Sequence, residues 1–129
     1  MLVISAKDQK KLLNMNELID AMGVALKEFS ASRTLTPIRT AIPISGANGT
    51  TLTMPSLAEA IQCLGVKIVS VFPNNSEVGK PTINGAMLVL DVETGEPLVL
   101  LEGSYLSVLR TGALSGLASK HLSHADTKV

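Results

Sequence analysis

A chain of 129 residues, 46% of them hydrophobic, carries enough apolar side chain for one ordinary domain and too little length for two. Eleven basic residues against eleven acidic ones leave no net field, and two Phe, one Tyr and no Trp leave little for base stacking, so nothing points to nucleic acid or an anionic membrane. The lone Cys63 excludes an internal disulfide, the N-terminus lacks the pattern of a secretory signal, and the longest apolar run, Ala86 to Leu90, is too short to span a bilayer. The simplest expectation is a cytoplasmic protein.

Leu2-Val3-Ile4 suits a short strand, after which Ser5 can cap a brief helix with Asp8 and Gln9 in its first turn. Asn14 or Asn16 then caps a second helix over Glu17 to Ser30, in which Leu18, Ile19, Met22, Leu26 and Phe29 recur at helical spacing. From Thr34 the period changes. Thr36 to Ile44 reads as a strand with Ile38, Thr40 and Ile42 on one face and Arg39 and Ala41 on the other, its prolines favouring an edge. Residues 45 to 49 turn the chain into a returning strand, Thr50 to Pro55; Ser56 to Leu64 is ambiguous between a helical turn and irregular chain. Val66 to Pro73 is dense in β-branched residues and reads as a strand buried on both sides, with Lys67 sharing a face with Val69 and Val71. A polar loop over 74 to 81 leads to a hairpin, Thr82 to Val92 and Pro97 to Leu101.

Glu102 to Leu122 reads as one long helix. At about 100° per residue, Leu106, Leu109, Ala113, Leu114 and Leu117 form one apolar arc, and Arg110 falls inside it. A charge on such a face must pair with an acid, snorkel to water or meet an anionic ligand. Arg39 and Lys67 also stand beside apolar neighbours, so the three cations could converge on one anion if the helix packs across the sheet. Each could equally be a partly buried residue paired to an acid or snorkelling. Thr111, Gly112, Ser115, Gly116 and Ser119 make the helix rich in small residues, which admits a neighbouring helix, another backbone or a cofactor.

Other chemistry lacks support. His121 lies where a helix-dipole partner is expected, and neither it, His124 nor Cys63 offers metal-ligand spacing. Ser104, Ser107 and Ser115 have no triad context. Gly46-Ala47-Asn48-Gly49 precedes a strand pattern, so it reads as a hairpin turn and not a phosphate cradle.

The series Leu64-Gly65-Val66-Lys67 with Val69-Ser70-Val71-Phe72-Pro73, then Asp91 to Pro97 (DVETGEP), then Leu109-Arg110-Thr111-Gly112-Ala113 resembles the ornithine cyclodeaminase and mu-crystallin family, whose members read LGVK-x-V-x-VFP, D-x-x-TG-x-P and LRTGA in that order. The resemblance implies an α+β substrate-binding and dimerisation domain over residues 1 to 124: a mostly antiparallel sheet packed with N-terminal helices and one long C-terminal helix. In full-length members a Rossmann domain binding NAD or NADP follows; here it is absent, and Ala125 to Val129 read as a strand about to begin it. The resemblance further implies that Arg39, Lys67 and Arg110 bind the carboxylate of a small amino or imino acid, that Lys67 helps polarise or protonate an imine, and that Thr111 contacts the cofactor. Met54 and Pro55 match a family segment lining the pocket, while Ser56 stands where alanine is common. A homodimer is implied too. The expected function is thus the clamp half of an NAD(P)-dependent amino-acid oxidoreductase or cyclodeaminase, inactive by itself and without bound cofactor. The alternative is a non-catalytic binding or dimerisation module of the same fold.

Overall fold

The computed structural model describes residues 1–124. Leu2–Ile4 forms β1, and Ser5 begins helix α1 (Ala6–Leu12) with a reciprocal cap: its hydroxyl accepts from the Asp8 N–H while the Asp8 side chain accepts from the Ser5 N–H. Asn14, not Asn16, caps α2 (Met15–Ser30) by accepting from the Asn16 N–H. Arg33 donates to both Glu28 carboxylate oxygens at 2.7 Å, tying the chain that leaves α2 back onto its last turn.

Five further strands follow: β2 (Thr40–Ile44), β3 (Gly49–Ala58), β4 (Cys63–Val71), β5 (Ile83–Leu90) and β6 (Pro97–Glu102). They form one six-stranded sheet in the order β1-β6-β5-β4-β3-β2. Only β1 and β6 pair in parallel, so the expected α+β, mostly antiparallel architecture is what the chain adopts. The ambiguous stretch proves to be hairpin: β3 runs on to Ala58, a 3-10 turn over Glu59–Ile61 follows, and Gln62 takes the left-handed conformation that starts β4. A further 3-10 segment, Pro73–Val78, occupies much of the loop expected between β4 and β5.

Two strand expectations require correction. The strand expected over Thr36 to Ile44 begins only at Thr40, because Pro37 has no N–H to give; Ile38 is 95% exposed and Arg39 is exposed just before the strand. Nor is β4 buried on both sides. Helix α3 (Gly103–Leu122) covers the face carrying Lys67 and Val69, and α1 and α2 pack on α3, leaving the face with Ile68 (42% exposed) and Ile42 (55%) without a helix.

The family motifs mark close packing and turns. Asp91 Oδ1 accepts from the Glu93 and Thr94 N–H groups and from the Thr94 hydroxyl, and Gly95 takes a positive φ, so DVETGEP is a side-chain-stapled turn between β5 and β6. Phe72 packs against Gly49, where a Cβ would come 2.5 Å from a ring carbon. The small residues of α3 serve helix packing: a Cβ on Gly116 would meet Ile19 at 2.7 Å and one on Gly112 would approach Met15.

Candidate active site

Cross-strand register builds the site. Met54, Lys67, Met87, Leu101 and Ile4 stand opposite one another across five strands, and directly opposed residues project from the same sheet face. Lys67 is the one charge in this row, flanked by methionine on both sides. Above it runs α3, whose first turn lies against β5: a Cβ on Gly103 would come 2.7 Å from the Ala86 nitrogen and the Gly85 carbonyl carbon. Only glycine at that crossing lets the helix backbone come so near the strand.

That approach brings α3 over Lys67. Its Nζ donates to Ser107 Oγ at 2.7 Å, and the same hydroxyl donates to the Gly103 carbonyl at 2.7 Å. One turn on, the Thr111 hydroxyl donates to the Ser107 carbonyl at 2.7 Å. Between the helix and the sheet lies a cavity of about 540 Å³, within the usual range of small-molecule sites. Val69, Ile83 and Val108 supply its apolar wall; Lys67, Ser107 and Thr111 supply its polar groups.

Burial pushes the Lys67 amino group below the ordinary lysine range, and the Arg110 guanidinium lowers it further. The two cations therefore share one electrostatic environment. Neither is answered by an acid: among the described residues the ion pairs are Arg33–Glu28 and Lys120–Asp20, on the α2 side. At the head of α3 the Glu102 carboxylate accepts from the Ser104 and Tyr105 N–H groups. Burial alone would raise its pKa, but these hydrogen bonds outweigh that and hold it below the usual range. It occupies the helix N-terminus itself, so that end is not free for a ligand anion.

The sequence-predicted residues do not all meet. Lys67 and Thr111 line the cavity. Arg110 roots in the apolar arc, where Ala113 is buried and Leu106, Leu109, Leu114 and Leu117 are half-buried, yet its side chain is exposed; the long stem carries the charge out to water. Met54 is one strand from Lys67 and outside the cavity lining. Arg39 is outside it as well; extending the β2–β3 register by one residue sets its backbone opposite Met54. Sequence reasoning passed over Ser107 because a serine was sought only as a nucleophile. Its place three residues before Arg110 and four before Thr111 on one helix face was the available signal.

A sequence profile of the ornithine cyclodeaminase/mu-crystallin family matches residues 1–129. The chain belongs to this family. It is 57% identical over 128 residues to a Delta(1)-pyrroline-2-carboxylate reductase of Bacillus cereus, covering 99% of this chain and 39% of that protein. Among solved structures, the Thermococcus litoralis Delta(1)-pyrroline-2-carboxylate reductase in complex with NADH and L-proline superposes with a TM-score of 0.88 at 40% identity, over 99% of this chain and 40% of that one. An archaeal alanine dehydrogenase dimer with bound NAD gives 0.87 at 26% identity, over 99% and 39%. The chain thus spans about two fifths of the length of the family members it matches.

Among the described residues of this family member there is no Rossmann unit. The glycine-containing stretch at 46 to 49 lies in a turn between two antiparallel strands, as expected, with Asn48 left-handed. Thr111 is a single contact at the cavity, its proton already given to Ser107, and makes no dinucleotide cradle by itself. Ala125 to Val129, where a further strand was expected to begin, lie outside the described residues. No described helix is long and apolar enough to cross a membrane.

Proposed function

We propose that residues 1 to 124 are the substrate-binding and dimerisation part of an NAD(P)-dependent reductase or dehydrogenase that clamps the carboxylate of a small amino or imino acid. The observation that carries this reading is a half-buried Lys67, its charge opposed by burial and by Arg110, facing an apolar cavity with no acid to answer it. Such an arrangement costs stability in the empty protein and is relieved by an anion. Arg110, free in solvent beside the cavity, offers a planar fork to one carboxylate; Lys67 offers a point charge to the carboxylate and a proton to the nitrogen next to it.

In the reductive direction a hydride adds to the imine carbon and a proton to the imine nitrogen, giving the secondary amine. A nicotinamide cofactor, when bound, supplies the hydride. The residues of this chain fix the carboxylate so that the neighbouring carbon is presented, and Lys67 gives its Nζ proton to the nitrogen, becoming the neutral amine. Thr111 turns its hydroxyl lone pairs outward, where they can accept from a cofactor. The family resemblance adds Arg39 and Met54 to the carboxylate end of the site: Met54 is the cross-strand neighbour of Lys67, and Arg39 stands one residue before β2, opposite Met54 by register.

The open face of the sheet supports pairing with a second copy. A compact 13.5 kDa monomer exposes about 6,500 Å². This chain exposes 9025 Å², and among the described residues only Ala58 and Ala113 of the apolar side chains are buried. A surplus of roughly 2,500 Å² exceeds the about 800 Å² that each partner buries in a standard interface, so the chain has ample surface for a second copy.

The carboxylate reading is tested by titrating the chain with L-proline and with L-prolinamide in a calorimeter. Binding of the acid and not of the amide is expected; equal heats from both would show that the site does not recognise a carboxylate.

A further inference from the structure

We infer that Ser107 is the positioning residue of this site: it anchors the Lys67 amino group against α3 as a pure acceptor, leaving the group's remaining hydrogen-bonding capacity turned toward the cavity. The inference rests on the reading of Lys67 as the residue that meets substrate, and it follows from counting protons. A serine hydroxyl has one proton and two lone pairs. The Ser107 proton is committed to the Gly103 carbonyl at 2.7 Å, so at its 2.7 Å contact with Lys67 Nζ the hydroxyl can only accept.

Two consequences follow for Lys67. As an ammonium it spends one of three N–H donors on Ser107 and keeps two for a carboxylate or an imine nitrogen. As a neutral amine it still points an N–H at Ser107, so its lone pair cannot be taken up by that hydroxyl and stays on the cavity side. A serine free to rotate could donate to the amine and block that lone pair; the bond to Gly103 removes the option. The anchor in turn depends on the Gly85–Gly103 crossing, which sets how close α3 comes to the sheet one turn before Ser107. The groups facing Lys67 from the other elements are Met54 on β3 and Met87 on β5, neither titratable, and Arg110 on α3 is the charge acting on it. Ser107 is thus the polar group in the structure that decides where the amine points.

The test uses the whole 129-residue chain with 13C-labelled lysine, the Lys67 signal being assigned by its loss in Lys67→Arg. In the wild type the two Lys67 Cε protons should be inequivalent, as for a side chain held in one rotamer. Ser107→Ala should make them equivalent, move the Lys67 titration, and weaken L-proline binding about 10-fold, the worth of one hydrogen bond to a charged group. Ser107→Thr, which keeps the hydroxyl, should restore all three. Unchanged Lys67 signals and affinity in Ser107→Ala would overturn the inference, as would failure of the threonine to restore them. If the wild type binds no L-proline while the Lys67 signals respond to Ser107→Ala and recover in Ser107→Thr, the carboxylate reading fails and the positioning role stands.

Discussion

Gly103→Ala probes the crossing on which the site depends. Gly103 does not have a positive φ, so an alanine there meets no backbone penalty, and the effect is purely one of space. Its Cβ would stand 2.7 Å from the Ala86 nitrogen, 2.7 Å from the Gly85 carbonyl carbon and 3.0 Å from the Gly85 oxygen. All three are backbone atoms of a central strand, so it is the first turn of α3 that must lift. Overpacking of this kind costs about 1–3 kcal/mol. Alanine returns up to about 1 kcal/mol of helix propensity, less at a first helical position. A net loss of about 2 kcal/mol is expected. With a urea slope of about 1.5 kcal/mol/M for a domain of this size, the midpoint should fall by about 1.3 M. Gly46→Ala is the control, since a Cβ there meets nothing within 4 Å; it should stay within about 0.5 kcal/mol of wild type. Coincident midpoints for the two variants would refute the close-crossing argument. Because Ser107 lies one turn beyond the lifted segment, Gly103→Ala should also weaken L-proline binding.

The depressed Lys67 binds fewer protons folded than unfolded between its lowered pKa and the ordinary value of 10.5, so at neutral pH it opposes folding, and its contribution improves as pH rises through that window. Lys67→Met, set between Met54 and Met87, should therefore raise the urea midpoint while abolishing ligand binding; a lowered midpoint would contradict this. Wild-type L-proline affinity should fall with rising pH earlier than an ordinary lysine allows. Glu102, held below 4.5, contributes stability that is present above that pH and is lost as pH falls through the folded value. Glu102→Gln should flatten the acid limb of a stability–pH curve and leave the neutral plateau within about 1 kcal/mol. Sedimentation should show a dimer, and Ile68→Glu with Ile42→Glu, both on the open sheet face, should give a monomer; a monomeric wild type would remove the dimer proposal.

The order and type of elements were legible because their signals are local. The Ser5–Asp8 cap, the helical spacing of α2 and the β-branched run of β4 each act over a few residues, and each marks its element. But β4 spans Cys63–Val71 where Val66 to Pro73 was expected, and on α2 the expected core residues Leu26 (41%) and Phe29 (61%) are exposed while Glu28 is buried. The limits of β2 were not legible: whether Thr36 to Arg39 joins a sheet depends on a neighbour offering partners, and only the Leu35–Leu57 bridge does. Burial misled in the same way. A β-branched strand reads as covered on both faces, but α3 covers one and no described helix covers the other. At the site, periodicity placed the root of Arg110 in the apolar arc and could not say where a long side chain ends. Ser107 was hidden for a different reason, since its role exists only through contacts with Lys67, 40 residues away, and with the Gly103 carbonyl.

The central claim is that Lys67 and Arg110 together hold a substrate carboxylate. The most direct measurement is calorimetric titration of L-proline into wild type and Arg110→Ala, a residue exposed enough that its loss leaves the fold intact. The account predicts at least a 10-fold weaker affinity in the variant, as expected for losing a charge-assisted carboxylate contact. An unchanged affinity would contradict it.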